Sequence, residues 1–92
     1  MLKKKYGITL SEYNQKLIDQ QGKCGICDKL NSDCQNGLYV DHDHETHQVR
    51  MLLCRECNAG LGHFRENIEL FERAIHYLKF YKSSTLKVIG GN

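Results

Sequence analysis

The chain has 92 residues, 40% of them apolar and 26% charged, with no proline or tryptophan and a formal charge of +2. That length suits one small domain, and the balance excludes a disordered or fibrous class. No apolar run approaches the ~18 residues of a membrane span, and the basic start has no apolar stretch after it, which predicts a cytoplasmic protein with no membrane partner.

Thr9 with Glu12 fits a capping box, and Leu10, Tyr13, Leu17 and Ile18 recur at helical spacing. They predict a helix over 10–21 that Gly22 stops. Residues 28–37, rich in Asn, Asp, Ser and Gly, read as a loop. Leu38-Tyr39-Val40 reads as a short strand ending where Asp41 begins, and Val49 to Leu53 as a second, close enough for a hairpin. A short helix follows Cys54, bounded by Gly60 and Gly62. Asn67 is placed to cap a last helix, whose Ile68, Phe71, Ile75 and Leu78 predict a buried stripe. Residues 1–82 read as one domain and 83–92 as a loosely held tail.

Five cysteines in a reducing compartment point to metal rather than disulfides. Cys24, Cys27, Cys54 and Cys57 form two CxxC pairs separated by 26 residues. Two sulfurs from each pair can reach one Zn²⁺ at about 2.3 Å and complete a tetrahedron. Such a staple closes a long loop and supplies folding free energy that a small core lacks. Four sulfurs leave no open position, so this zinc is structural. The plainer alternative is four buried reduced thiols. Thiolates and ion together add about −2, which brings the net charge near zero, so affinity for a polyanion must be local. Cys34 lies outside the pattern and reads as a free loop thiol.

Asp41-His42-Asp43-His44 lies inside the loop the cysteines close. Carboxylate oxygens suit a hard cation such as Mg²⁺, which keeps several waters and takes one or two protein ligands. An imidazole can take a proton from an attacking water. Those are the parts of metal-assisted phosphodiester hydrolysis. Neighbouring side chains of a regular strand point to opposite faces, so Asp41 and His42 can share a site only where the strand bends or ends. The alternative is a polar turn whose acids cap backbone amides. Asn58, just after Cys57, offers an oxygen that could join Asp41 on the cation, or a helix cap. Arg50 and Arg55 flank these residues and are candidates for phosphate contact.

These residues together resemble the recombination endonuclease VII group of bacteriophage HNH-type nucleases. The resemblance runs from about Tyr6 to Leu78. Its carriers are Tyr6-Gly7-Ile8-Thr9, Cys24-Gly25-Ile26-Cys27, Val40-Asp41-His42-Asp43-His44, Val49-Arg50, Leu52-Leu53-Cys54, Cys57-Asn58, Leu61-Gly62 and Ile75-His76-Tyr77-Leu78. It implies an α+β fold: a zinc-stapled ββα-metal (HNH, or His-Me finger) core flanked by N- and C-terminal helices. By matching position, Asp41 and Asn58 would hold a catalytic Mg²⁺ or Mn²⁺, His42 would be the general base, and His44 would orient the phosphate or the water. The implied activity is DNA endonuclease cleavage, leaving 5′-phosphate and 3′-hydroxyl ends. Branched DNA and a homodimer come with the best-studied members, as would the host cytoplasm if the protein is phage-encoded. This sequence departs from the group where glycine is common: His47 or Gln48 in the turn after the acidic run, and Met51 after Val49-Arg50. It also ends soon after its last helix, where the junction resolvases carry a long extension. The reading from another class is a non-catalytic zinc module that binds DNA or protein. A zinc redox switch using Cys34 is a third.

Overall fold

The computed structural model describes residues 4, 5 and 7–83. The expected tail therefore lies outside the described residues, apart from Ser83, which ends the last helix. Two short strands, β1 (Lys4–Lys5) and β2 (Ile8–Thr9), pair antiparallel and lead into α1 (Leu10–Asp19). A turn of 3₁₀ helix spans Asn31–Asp33. Strands β3 (Tyr39–His42) and β4 (Val49–Leu53) form an antiparallel hairpin, followed by α2 (Arg55–His63) and α3 (Ile68–Ser83). Among the described residues no helix is long and apolar enough to cross a membrane.

Two compact units divide at Gly60–Leu61. The first holds the core: Ile8, Leu38, Val40, Leu52 and Leu53 are buried, together with Cys24 and Cys54. This is a small apolar nucleus, and two of its members are thiols. Helix α1 starts as its sequence predicts. The Thr9 hydroxyl accepts the Glu12 amide at 3.1 Å and the Glu12 carboxylate accepts the Thr9 amide at 2.8 Å, a reciprocal box. Its inner face differs from the predicted apolar one, because Leu10 and Ile18 are exposed. Polar side chains fasten it instead. Tyr13 donates to the Leu38 carbonyl at 2.6 Å, and Lys16 Nζ to the Arg50 carbonyl at 3.0 Å. Gln20 pairs with both backbone groups of Leu52, at 2.8 and 3.0 Å, much as a neighbouring strand would. Buried backbone groups at a sheet edge need partners, and α1 supplies them from side chains.

The hairpin departs from the expected strand end. Strand β3 continues through Asp41 and His42. Between the pairs Val40↔Leu52 and His42↔Val49, β3 advances by two residues and β4 by three. Arg50 and Met51 therefore oppose Asp41 alone, which is a β-bulge in β4.

Helix α2 runs through Gly60 and Gly62 rather than stopping at them. It ends where Glu66 donates to the Leu61 carbonyl at 2.8 Å and Arg65 to that of Gly62 at 2.8 Å, both in the left-handed region. In the second unit Asn67 caps α3 as predicted, its Oδ1 accepting the Leu70 amide at 3.1 Å. The predicted stripe is not buried. Phe71 stacks on Phe64 with ring centres 4.9 Å apart, whereas Ile68, Ile75 and Leu78 are exposed, Ile68 to 72%. Helical spacing puts residues on one face, but covering that face takes a second surface. Within this unit Phe64 stacks on Phe71, while Ile68, Ile75 and Leu78 stay open.

Candidate metal centre and active site

The four paired cysteines converge. Their ligand atoms all lie within 4.8 Å of one another, and Cys27 Sγ is 3.7 Å from Cys54 Sγ. Four sulfurs at about 2.3 Å from a tetrahedral ion are separated by about 3.8 Å, so the spacing fits zinc. Cys24 lies in a turn after Lys23, which bridges to Leu30, and its amide donates to the Lys29 carbonyl at 2.8 Å. Cys54 immediately precedes α2, and its Sγ accepts the Cys57 amide at 3.4 Å, in the manner of a helix cap. Cys24 Sγ accepts the amides of Ile26 and Cys54 at 3.4 and 3.3 Å. Burial pushes the Cys24 thiol up, but the amides of Cys27, Cys54 and Ile26 outweigh it and hold the group at about 6. Burial raises Cys54 and Cys57, aided at Cys57 by the neighbouring sulfurs. One sulfur is therefore ready as thiolate near neutral pH, and the raised pair must lose protons to ligate an ion. Among the described residues this is the one group of three or more Cys, His, Asp or Glu side chains placed to hold a metal. Cys34 lies outside it, its thiol 3.4 Å from the Leu30 carbonyl.

The acidic run divides into two kinds of residue. Asp41 is buried, and both its oxygens accept from Arg50: Nε to Oδ2 at 2.6 Å and Nη2 to Oδ1 at 3.1 Å. The bulge makes this fork. In regular register Arg50 would oppose His42 and lie on the opposite face from Asp41. Arg50 also donates to the His42 carbonyl at 3.1 Å and sits 3.8 Å from the Asp43 carboxylate. Asp43 meets the alternative reading, the turn cap: its Oδ1 accepts the amides of Glu45 and Thr46 at 2.8 and 2.9 Å. Those bonds, with that from Thr46 the larger, hold its carboxyl below the usual range. The turn closes with His47 at φ 67°, where the resemblance anticipates glycine.

His42 is half-buried beside Asp41, and His44 is exposed in the turn. Gly7 packs against the His42 ring. A Cβ built there would lie 3.2 Å from Nε2 and 3.7 Å from Val49, and its φ of +87° suits glycine. Asn58 is half-buried and sits inside the first turn of α2, its amide donating to the Cys54 carbonyl at 3.0 Å. That makes it a helical residue rather than a cap, and Cys54 takes the capping role. Arg55 is exposed at the helix start and lies 3.8 Å from Glu56. Arg50, by contrast, is engaged with Asp41. The Asp41–Arg50 fork, the Gly7 contact and the Lys16 and Gln20 ties were not read from the sequence. Each joins residues whose register or side-chain direction is set by the hairpin.

A bulged two-stranded hairpin leading into a helix, with four cysteines gathered at its base, defines a ββα-metal type domain. The fold agrees with a solved structure described as the beta-beta-alpha-Me type II restriction endonuclease Hpy99I. It is 34% identical at a TM-score of 0.57, over 77% of this chain and 42% of that one. The description recombination endonuclease VII matches residues 1–80, and the chain belongs to that family. Two curated relatives are called Gene 59 protein: that of Mycobacterium phage L5 is 51% identical over 79% of this chain, and that of Mycobacterium phage D29 is 46% identical over 92%. The chain spans about half the length of these relatives, 44% and 50%.

Proposed function

We propose that the chain is a divalent-metal-dependent DNA endonuclease whose working groups are Asp41, His42, His44 and Asn58, held by a structural zinc on Cys24, Cys27, Cys54 and Cys57. The observation that carries this reading is a buried carboxylate, Asp41, followed in the chain by a half-buried imidazole, His42, at the end of β3, in a chain of the endonuclease VII family. Asp41 and Asn58 are oxygen donors of the kind Mg²⁺ or Mn²⁺ prefers, and they would hold the ion. When bound, the ion stabilises charge on the phosphate and on the departing 3′ oxygen. His42 takes the proton from the water that attacks phosphorus in line. Gly7 lies against its ring. His44, on the exposed turn, orients the phosphate. Arg55 is free of the acidic run and suits a contact to the DNA backbone. One such site nicks one strand, so a double-strand cut needs a second copy, as in a homodimer. Branched DNA is the substrate class that the family suggests, and a phage enzyme would act in the host cytoplasm.

Incubating supercoiled plasmid with the protein in Mg²⁺ or EDTA tests the reading. His42→Ala should slow nicking ~10²–10⁴-fold, the usual value of a general base, with zinc content unchanged. Equal nicking by that variant removes His42 from the mechanism. DNA binding indifferent to Mg²⁺, with no nicking at all, would identify a binding module. Matched junction, flap, nicked and linear substrates then separate branch-specific from plain cutting.

A further inference from the structure

The Asp41–Arg50 fork bears directly on how an ion could reach Asp41. Asp41 is 5% exposed, and both its oxygens are taken by one guanidinium. The Arg50 side chain is 31% exposed, so the cationic partner is the one that faces solution. A second cation at the same carboxylate must either displace the guanidinium or sit against its charge. Either raises the cost of binding. We infer that Arg50 is the resident counter-cation of Asp41, and that a divalent ion loads in competition with it. The inference rests on Asp41 being an ion ligand. A guanidinium pairs with phosphate as readily as with carboxylate. Phosphate of bound DNA is therefore the anion that draws Arg50 away, and metal loading is coupled to DNA. The bulge is the structural cause, since it gives Arg50 its place opposite Asp41. The Arg50 backbone stays fastened while the side chain moves, because Lys16 holds its carbonyl. Arg50 is accordingly a positioning residue whose partner changes.

Mn²⁺ binding to the zinc-loaded protein, read by electron paramagnetic resonance of the free ion, tests this without reference to cleavage. Arg50→Gln should bind Mn²⁺ about tenfold or more tightly than the parent in the absence of DNA, the ratio expected for removing a charged competitor. A short duplex should tighten Mn²⁺ binding by the parent more than by the variant. Arg50→Lys, which keeps the charge but not the fork, should fall between them. Should the glutamine variant fail to fold, the parent alone suffices. Adding Mg²⁺ should shift the Arg50 Nε–H resonance away from its carboxylate-bonded position. Equal or weaker Mn²⁺ binding by Arg50→Gln, an identical gain from DNA, or an unmoved resonance overturns the inference. Asp41→Asn distinguishes the two levels: if Mn²⁺ still binds that variant, the ligand assignment fails, whatever Arg50 does.

Discussion

Metal removal is the perturbation with the largest expected effect. The buried nucleus of the first unit is a handful of aliphatic side chains and two of the four cysteines. The Cys27–Cys54 link closes 26 intervening residues. Treated as a crosslink, a loop of that size removes about 3–4 kcal/mol of denatured-state entropy, a large share of the 5–15 kcal/mol that is usual for a small domain. Stripping the ion also leaves four sulfurs, two of them on buried cysteines, with no common partner. A zinc chelator should therefore lower the melting temperature by about 15 °C or more, at about 4–8 °C per kcal/mol for a domain of this size. Circular dichroism during chelator titration follows the loss, while a chromogenic zinc indicator counts the metal released. One equivalent per chain is expected. Reloading should release protons, because Cys54 and Cys57 are raised by burial and must ionise to bind, while Cys24, at about 6, is already ionised at neutral pH. Zinc affinity should therefore rise with pH. The calorimetric heat of binding should change between buffers of different ionisation enthalpy. A chelated chain that melts at the same temperature would show that the core is sufficient without its staple.

Gln20→Ala should destabilise the chain by about 1–3 kcal/mol in urea unfolding, because it leaves the amide of the fully buried Leu52 without its partner, while the Leu52 carbonyl keeps the Gly25 amide at 3.0 Å; a change under a few tenths would mean that water replaces the lost carboxamide. His47→Gly should move the urea midpoint upward by about 0.5–1 kcal/mol of stability, since the left-handed φ of 67° costs a side chain more than it costs glycine. A lower midpoint would show that the imidazole makes a contact worth more than the strain.

The features legible in the sequence are those whose partners lie within a few positions. The Thr9–Glu12 box, the Asn67 cap and strand β4 depend on spacing alone, and they stand where spacing puts them, whereas β3 runs two residues past its predicted end. The cysteine pairs were legible for a related reason. A tetrahedral ion demands four soft donors, and two tight pairs are the simplest way a chain can supply them. The run from Asp41 to His44 was harder. Composition alone does not assign its members, and the two aspartates do different work, one paired with Arg50 in the interior and the other capping a turn. The exposed side of α3 shows the opposite error, where a regular apolar period announces a face but not a cover.

Local chemistry in the chain determined where the helices begin, which sulfurs gather and which short segment carries the acids and imidazoles. Tertiary structure alone decided that β4 carries one residue more than β3 between two pairs, and so that Arg50 faces Asp41. The reason is geometric: in a strand, neighbouring side chains alternate between faces, so an extra residue changes which partners meet without changing a letter of the sequence.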